Sequence, residues 1–328
     1  MEKPARLDYL DRAKGFLIIL VVIGHIRQSG YPFNVIYTFH MPAFFVISGI
    51  LLSVTRSYRK GFGRFFLRKL YAFGIPFLFI EALGVLTDVI RHGITLKPQG
   101  YLFNTLILDY NDPNLWFLVD LFLAEMIFVL LLLLVRKRWA VCVGVGLLFV
   151  GSFFVPSGNP YVATLAMTCK YLPYLPLGFY GKRLLEKRSA PVLCLAVLAV
   201  LASGFFLGPK FSGLQLGFPM LENLFTILVG LLGTYMTLQI STRPLPGFLD
   251  RALLAAGRSS ILIYGTHHII YAAVGVLLGV TDYASTPLWA GLIMLAAVAV
   301  LEPPIIYLIN RWLPFLAGKH YPKRTAGN

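Results

Sequence analysis

The sequence predicts an all-α integral membrane protein that crosses the bilayer about ten times. Of its 328 residues, 58% are hydrophobic and only 13% are charged, a composition too apolar for a soluble domain of this length. The net charge of +15 falls in short clusters between apolar runs, which is typical of membrane topology and not of a nucleic-acid-binding stripe. We therefore expect one membrane-embedded domain over residues 1–328, with the lipid bilayer as its partner and no nucleic acid.

The apolar stretches long enough to cross about 30 Å of hydrocarbon predict ten spans in order. Lys and Arg accumulate on the cytoplasmic side of short connections. With the N-terminus inside, 24 of the 29 Lys and Arg fall in cytoplasmic segments, which predicts that both termini, about 1–14 and 311–328, are cytoplasmic. The first span is expected to be an uncleaved helix and not a signal peptide. The ten predicted spans are approximately 15–30, 34–54, 70–90, 113–135, 139–155, 163–181, 190–208, 217–240, 256–279 and 286–310.

The first span carries a lysine and a histidine on one helical face. His25 comes eleven positions after Lys14, a rotation of about 1100°, which is about 20° past three full turns. The helical rise places them roughly 16 Å apart, with Lys14 at a membrane face and His25 near the middle. An ionisable group at that depth is costly unless it is paired, so His25 is either a packing histidine or a functional one. We interpret it as a general base, because the unperturbed pKa of histidine is about 6.5.

The third span begins with basic residues that suit a phosphate. Arg64 and Arg68 lie four residues apart on one helical face at the inner mouth, whereas the positive-inside bias alone explains Arg56, Arg59 and Lys60. The pair is a candidate site for the phosphate groups of a cytosolic cofactor. The external connection over 91–112 contains NDPN, a turn-rich sequence that predicts a short lid or re-entrant piece.

The ninth span carries a polar stripe. Ser260, Tyr264 and His267 follow a four-then-three spacing that stacks them on one side of a helix, so we expect them to face a cavity. This helix would bring His267 to the depth of His25, and the two histidines are predicted to meet near the midplane. His268 lies about 100° round the helix and is predicted to pack elsewhere.

Further polar residues lie within the predicted spans. Asp120 and Glu125 need partners, for which Lys170 and His40 are candidates, and structural pairing and function remain alternatives for both. Ser48 and Gly49 are expected to allow close helix packing, as is usual for small residues in membrane helices. The three cysteines show no paired spacing and predict neither a disulfide nor a metal site. The candidate acceptor-binding residues are His40, Trp116, Asp120 and Glu222, while Glu302 is expected to be paired.

These residues resemble the integral-membrane acyltransferase 3 family, and within it the branch of fucose 4-O-acetylase-like sugar O-acetyltransferases. The family pattern of a basic residue, ten others and a histidine is met by Lys14 and His25, where lysine replaces the more frequent arginine. The basic entry to the third span departs slightly from the family's R-x-x-R, which leaves open whether Arg68 or Lys69 is the partner of Arg64. Three further segments fall in family order, namely FHMPAFFVISG at 39–49, LWFL at 115–118 and GRSSILIYGTH at 257–267.

The resemblance implies acyl transfer, usually of acetyl from cytosolic acetyl-CoA, to a sugar hydroxyl of an exported or cell-surface glycan or its lipid-linked precursor. It places the protein in the plasma (inner) membrane and requires no metal. His25 would take the hydroxyl proton, and His267 with Tyr264 would position the hydroxyl or polarise the oxyanion; an acetyl-histidine intermediate is the competing mechanism. The other functions considered are a transporter or flippase for a glycan or lipid-linked sugar, and a membrane scaffold. The CoA phosphates would bind Arg64, Arg68, Lys69 and Lys14.

Overall fold

The computed structural model describes residues 7–26, 30–92, 116–135, 137–156, 158–206, 218–243, 245–280 and 286–319. The regular structure within these ranges is helical throughout, with two short 3-10 helices at Ser57–Lys60 and Pro314–Ala317. The α-helices are α1 (Asp8–Gly24), α2 (Phe33–Thr55), α3 (Phe62–His92), α4 (Trp116–Leu134), α5 (Arg138–Gly151), α6 (Pro160–Tyr171), α7 (Tyr174–Glu186), α8 (Ala190–Phe206), α9 (Pro219–Ser241), α10 (Gly247–Arg258), α11 (Ser260–Leu277) and α12 (Leu288–Trp312).

The outer surface of the bundle is apolar. Leu147 on α5, Leu195 on α8 and Val300 on α12 expose 68%, 61% and 70% of their surface. Such an extensive apolar exterior is solvated by lipid and not by water. Among the described residues, α2, α4, α9, α11 and α12 are long and apolar enough to cross a membrane. The protein is therefore a helical membrane protein, while ten spans and two cytoplasmic termini stay predictions.

Helix α2 lies at the centre of the bundle. Its residues Phe45, Val46 and Ile50 are fully buried, and it packs against α1, α7, α8 and α9. Helix α11 packs against α3, α12 and α1. Helices α1, α2 and α11 therefore form adjoining walls around the middle of the molecule.

Two helix crossings bring backbones into direct contact through glycine. A Cβ on Gly15 of α1 would overlap the carbonyl oxygen of Leu253 in α10, and one on Gly257 would overlap the carbonyl oxygen of Asp11. Gly49 of α2 meets α7 in the same way, which confirms the close packing predicted at that residue. Small residues allow this approach, and the van der Waals contact it creates drives helix association in lipid.

The charged first turns of α1 are paired with α10. Arg12 donates from Nε to Asp250 at 2.5 Å, and Arg258 lies 3.2 Å from Asp8 and 3.5 Å from Asp11. The hydrogen bond from Arg12 holds the pKa of the Asp250 carboxyl below its usual range. Because these charges are satisfied, α1 begins at Asp8, well before the predicted start at 15.

Three predicted spans differ from the observed helices. Helix α1 ends at Gly24, so His25 caps the helix and does not lie within it. The sixth span is broken into α6 and α7 around Leu172 and Pro173, because proline supplies no backbone N–H and its ring clashes with the preceding turn. The start of the ninth is interrupted at Ser259, which separates the amphipathic α10 from α11. Residues 93–112 of the proposed lid lie outside the described residues.

We expect Gly257→Val to destabilise the protein by about 1–3 kcal/mol or more, because the new side chain forces α1 and α10 apart. The matched control is Gly146→Ala in α5, where an added Cβ meets no atom within 4 Å and the helix interior favours alanine by up to about 1 kcal/mol. Thermal unfolding of both variants in detergent measures the difference. Equal midpoints for the two would contradict a tight crossing.

Candidate active site

A cavity of about 200 Å³ lies between α1, α2, α3, α4 and α11. On α1 its wall is formed by Lys14, Ile18 and Val21, which is the helical face that the sequence predicted to lead towards His25. On α11 the wall includes Ser260 and Tyr264, so the prediction that this stripe faces a cavity is confirmed for both. The remaining lining residues are Met41, Phe44, Ile47, Ser48, Leu51, Lys69, Phe73, Phe117, Leu118, Leu121, Glu125 and Ile261.

Two lysines line one end of this cavity, and each is paired with a carboxylate. Lys14 Nζ lies 2.8 Å from Asp11 on the preceding turn of α1. Lys69 Nζ on α3 lies 2.6 Å from Glu125 on α4, a carboxylate with no exposed side-chain surface. Ser48 donates a further hydrogen bond to Glu125. Both ammonium groups are thus held at the cavity by carboxylates and retain other N–H donors for an anion.

His25 and His267 meet one helical turn beyond the far end of the cavity. His25 follows Val21 by four residues on α1, and His267 follows Tyr264 by three on α11. His25 Nδ1 lies 2.8 Å from His267 Nε2, and the two rings are nearly parallel, with an interplanar angle of 4°. The predicted meeting of the two histidines is therefore confirmed. His267 is the eighth residue of the 18-residue α11, which puts the pair near the middle of that helix.

The partners of His267 determine where the protons lie. Its Nδ1 is 2.6 Å from the carbonyl oxygen of Ile263, and because a carbonyl only accepts, Nδ1 carries a proton. In neutral His267 the Nε2 atom is then an acceptor, so His25 must donate from Nδ1. The remaining lone pair of His25 is on Nε2. The arrangement selects one tautomer of His25 and leaves that nitrogen able to accept a proton.

The end of α1 that carries His25 is fixed by two tyrosines. The last carbonyl groups of a helix have no partner within it. Tyr37 donates to the carbonyl oxygen of Gly24 at 2.8 Å, and Tyr271 donates to that of Val22 at 2.9 Å. These bonds tie α1 to α2 and α11 and hold the His25 backbone beside His267.

The sequence placed His268 elsewhere, and this prediction is wrong. Its ring centroid is 4.7 Å from that of His25 and 4.0 Å from that of His267. On α11 the side chain of His268 points about 100° away from that of His267. Because α1 ends at Gly24, no helical turn of α1 fills the space beside His25, and the His268 ring occupies it. The site therefore contains three adjacent imidazoles.

The basic residues of α3 divide between two faces. Lys69 lines the cavity, whereas Arg64 and Arg68 are exposed at the surface of the bundle. Their positions leave both arginines available to an anion outside the cavity, but it is Lys69 whose ammonium group lies inside. The sequence left open whether Arg68 or Lys69 is the partner of Arg64, and this stays a prediction; of the two, Lys69 is the one that lines the cavity.

The other predicted acceptor-binding residues do not line the cavity. His40 is buried and its Nδ1 donates to the carbonyl oxygen of Ile36 at 2.6 Å. Trp116 packs its ring 5.4 Å from that of Tyr171, and Glu222 is half-buried in the first turn of α9.

Asp120 and Glu125 have partners other than the predicted Lys170 and His40, whereas Glu302 is paired, as expected. Asp120 accepts from Thr168 at 2.6 Å, and Glu302 accepts from Thr266. Lys170 lies 5.1 Å from the centre of the Phe153 ring instead of pairing with Asp120 or Glu125. The Lys69–Glu125 pair was not foreseen. The pair could have been found from depth in the membrane. Lys69 lies seven residues after the start of α3 and Glu125 nine residues before the end of α4, so the two side chains lie at a similar level.

We expect Lys69→Met to destabilise the protein by about 3–5 kcal/mol, because it leaves the Glu125 carboxylate buried without a counter-ion. The double variant Lys69→Met/Glu125→Met should recover most of that loss, since an apolar pair of similar volume removes the unpaired charge. Arg68→Met is the matched control on the exposed side of α3, with an effect within about 0.5 kcal/mol. Thermal unfolding in detergent measures the stability of the three variants. A double variant with the same unfolding midpoint as Lys69→Met would contradict the pairing.

Comparison with known proteins identifies a family. A family model described as an acyltransferase domain (Acyl_transf_3) matches residues 7–302, a range that includes the cavity and the histidines. The chain is also similar to the Nodulation protein NolL of Sinorhizobium fredii (strain NBRC 101917 / NGR234), with 30% identity over 200 residues. This alignment covers 56% of the chain and 50% of NolL, so the chain spans about half the length of this relative.

No solved structure gives a significant match to the chain. The family model covers nearly all of the described bundle, from the first turn of α1 to the middle of α12. The chain therefore belongs to the acyltransferase 3 family.

Proposed function

We propose that this protein is a membrane O-acyltransferase that moves an acetyl group from cytosolic acetyl-CoA to a hydroxyl group of a sugar. The observation that carries the proposal is the His25–His267 pair one turn beyond an apolar cavity whose other end holds Lys14 and Lys69. The two lysines suit the phosphate groups of CoA, and the apolar wall suits its long pantetheine arm. The reactive thioester would then reach the histidines.

The acceptor is a sugar of an exported or cell-surface glycan, or of its lipid-linked precursor. This class follows from the likeness of the chain to fucose 4-O-acetylase-like sugar O-acetyltransferases. It accords with a catalytic pair at the middle of a helical membrane protein, between a cytosolic donor and an exported product. The plasma (inner) membrane is the corresponding location, with Lys14 and both termini on the cytoplasmic side.

In the proposed reaction, His25 Nε2 accepts the proton of the acceptor hydroxyl while its oxygen attacks the thioester carbonyl carbon. The C–S bond then breaks, the acetyl group stays on the sugar oxygen, and the CoA thiolate takes the proton back from His25. His267 accepts the Nδ1 proton of His25 in a hydrogen bond and stabilises the imidazolium that forms. It orients the base and does not hold the hydroxyl, because both of its ring nitrogens have partners.

Tyr264 is the proposed donor to the oxyanion. It is 5% exposed, its side chain lines the cavity, and its position one turn before His267 places it between the lysines and the histidines. Its ring is held by an edge-on contact with Phe117, whose centroid is 5.9 Å away. A donor fixed in this way stabilises developing negative charge without reorganisation.

An acetyl-histidine intermediate uses the same atom in a different order. His25 Nε2 would attack the thioester itself and release CoA before the sugar binds. Incubation with labelled acetyl-CoA in the absence of a sugar separates the two mechanisms. Label on His25 and release of one CoA per chain support the intermediate, whereas no label supports direct transfer.

We expect His25→Ala to lower glycan acetylation by at least about 10²–10⁴-fold, the contribution of a general base, while the protein still inserts into the membrane. Mass spectrometry of surface glycans detects the acetyl group, and the amount of protein in the membrane fraction serves as the control. Retained acetylation would refute the role of His25. Movement of a sugar across proteoliposomes without acetyl-CoA would instead favour a transporter.

We expect His267→Leu to lower kcat by roughly 10²-fold or more with little change in KM for acetyl-CoA, because the CoA-binding lysines remain and the tautomer of His25 is lost. His267→Gln should recover part of kcat, since its amide oxygen accepts from His25 Nδ1. Steady-state kinetics of the purified variants measure both constants. A rise in KM without a fall in kcat would contradict an orienting role.

A further inference from the structure

We infer that His25, His267 and His268 form a binding site for a divalent transition-metal ion of the Zn²⁺ class, and that its occupation inhibits the enzyme. Each of the three side chains offers one ring nitrogen, and these atoms all lie within 4.8 Å of one another. Binding is a property of the three imidazoles alone, whereas inhibition rests on the proposed function of His25.

The distances fit a tetrahedral ion after a small adjustment. Zinc binds imidazole nitrogen at about 2.0–2.1 Å, which places two ligands of a tetrahedron about 3.3 Å apart. His25 Nδ1 and His267 Nε2 are 2.8 Å apart, so they separate by about 0.5 Å, and the His268 ring closes from the third side. The two nitrogens face each other along the hydrogen bond, so the His25 ring also has to turn before its lone pair points at the ion. Rotation about the side-chain torsions of His25 and His268 would supply both movements.

The surroundings of His267 are those of a metal ligand. Histidines that bind metals almost always donate their other ring N–H to a carbonyl or carboxylate, which fixes the ring and its tautomer. The Nδ1 of His267 is held by the Ile263 carbonyl at 2.6 Å, so its Nε2 is presented to the cluster with a lone pair. His267 is fully buried, whereas His25 and His268 are partly exposed and allow water to occupy a fourth position.

Neutral imidazoles in this number select a borderline metal. Three histidines and one open position suit Zn²⁺ and Co²⁺, whereas Mg²⁺ and Ca²⁺ prefer oxygen ligands. The proposed acetyl transfer uses His25 and His267 and gives His268 no chemical role. A metal site would explain why a third imidazole lies beside the pair.

Metal binding would remove the catalytic lone pair. Coordination by His25 Nδ1 requires the proton on that atom to move to Nε2, so no proton is released. The nitrogen that accepts the hydroxyl proton in catalysis is then already protonated, and the hydrogen bond between the two rings is replaced by the ion. Occupation therefore blocks base catalysis without closing the cavity to acetyl-CoA.

The test uses the purified full chain in detergent without a polyhistidine tag and Co²⁺ as the probe, because Co²⁺ reports its ligands through visible absorption. We expect one Co²⁺ per chain with the absorption of a tetrahedral histidine site. His268→Ala and His268→Gln should weaken the affinity for Co²⁺ at least roughly 100-fold. Loss of a residue that only hydrogen-bonds to a ligand costs about 10–100-fold, so a larger loss marks His268 as a ligand. His40→Ala is the matched control. His40, like His267, donates from Nδ1 to the carbonyl four residues before it, but it lies outside the three-histidine cluster. The His40→Ala variant should therefore bind Co²⁺ as the wild type does.

Inhibition by Zn²⁺ is measured in the acetylation assay with the same proteins. His268→Ala should keep its activity without metal and need at least about 100-fold more Zn²⁺ for half inhibition. Unchanged Co²⁺ absorption in both His268 variants, with each eluting as a folded species, would overturn the site. A protein that binds Co²⁺ in the expected way yet transfers no acetyl group would retain the metal site and refute the proposed function.

Discussion

The hydrogen bond between the rings of His25 and His267 is the interaction on which the rest of the structure depends. Two polar rings within an apolar bundle are tolerated only where their donors and acceptors are satisfied. The carbonyl of Ile263 fixes one ring, and the hydroxyls of Tyr37 and Tyr271 fix the backbone that carries the other. The C-terminal end of α1, a place where unpaired carbonyl groups would be costly, thereby holds in a fixed position the side chain that is the proposed base.

Helices α1 and α2, which line the cavity, make direct backbone contacts with the helices behind them. Gly15 and Gly257 join α1 to α10, and Gly49 joins α2 to α7. Because these contacts involve main-chain atoms, they leave little freedom for sliding or rotation. They hold α1, which carries Lys14 and leads to His25, in one position beside the cavity. A fixed separation of these two side chains is what the proposed acetyl-CoA donor would need if both of its ends are to be recognised together.

Sequence reasoning succeeded where a single helix determined the answer. The spacings of Lys14, Ser260 and Tyr264 follow from helical geometry, and the structure confirms that these side chains face one cavity. The meeting of His25 and His267 was predicted from their similar depth in two helices, and the structure confirms it as well. Sequence reasoning failed for other contacts that depend on which helices are neighbours. Periodicity along α3 and α4 does not say that these helices adjoin. Lys170 was therefore predicted as a partner of Glu125, whereas the observed partner is Lys69. His268 was misplaced because the end of α1, which decides what surrounds it, was expected six residues later, at 30.

The carbonyl-fixed ring of His267 also bears on how the reaction relates to the voltage across the membrane. With Nδ1 of His267 committed to Ile263, protons enter and leave the pair through His25 Nε2 alone. In the proposed cycle the proton taken from the sugar returns to the sulfur of CoA, so the alcohol, the ester, and the thiol all pass through the site without a net change of charge. Such a cycle is electroneutral, so the equilibrium of the transfer would be the same in an energised membrane as in one whose potential has collapsed.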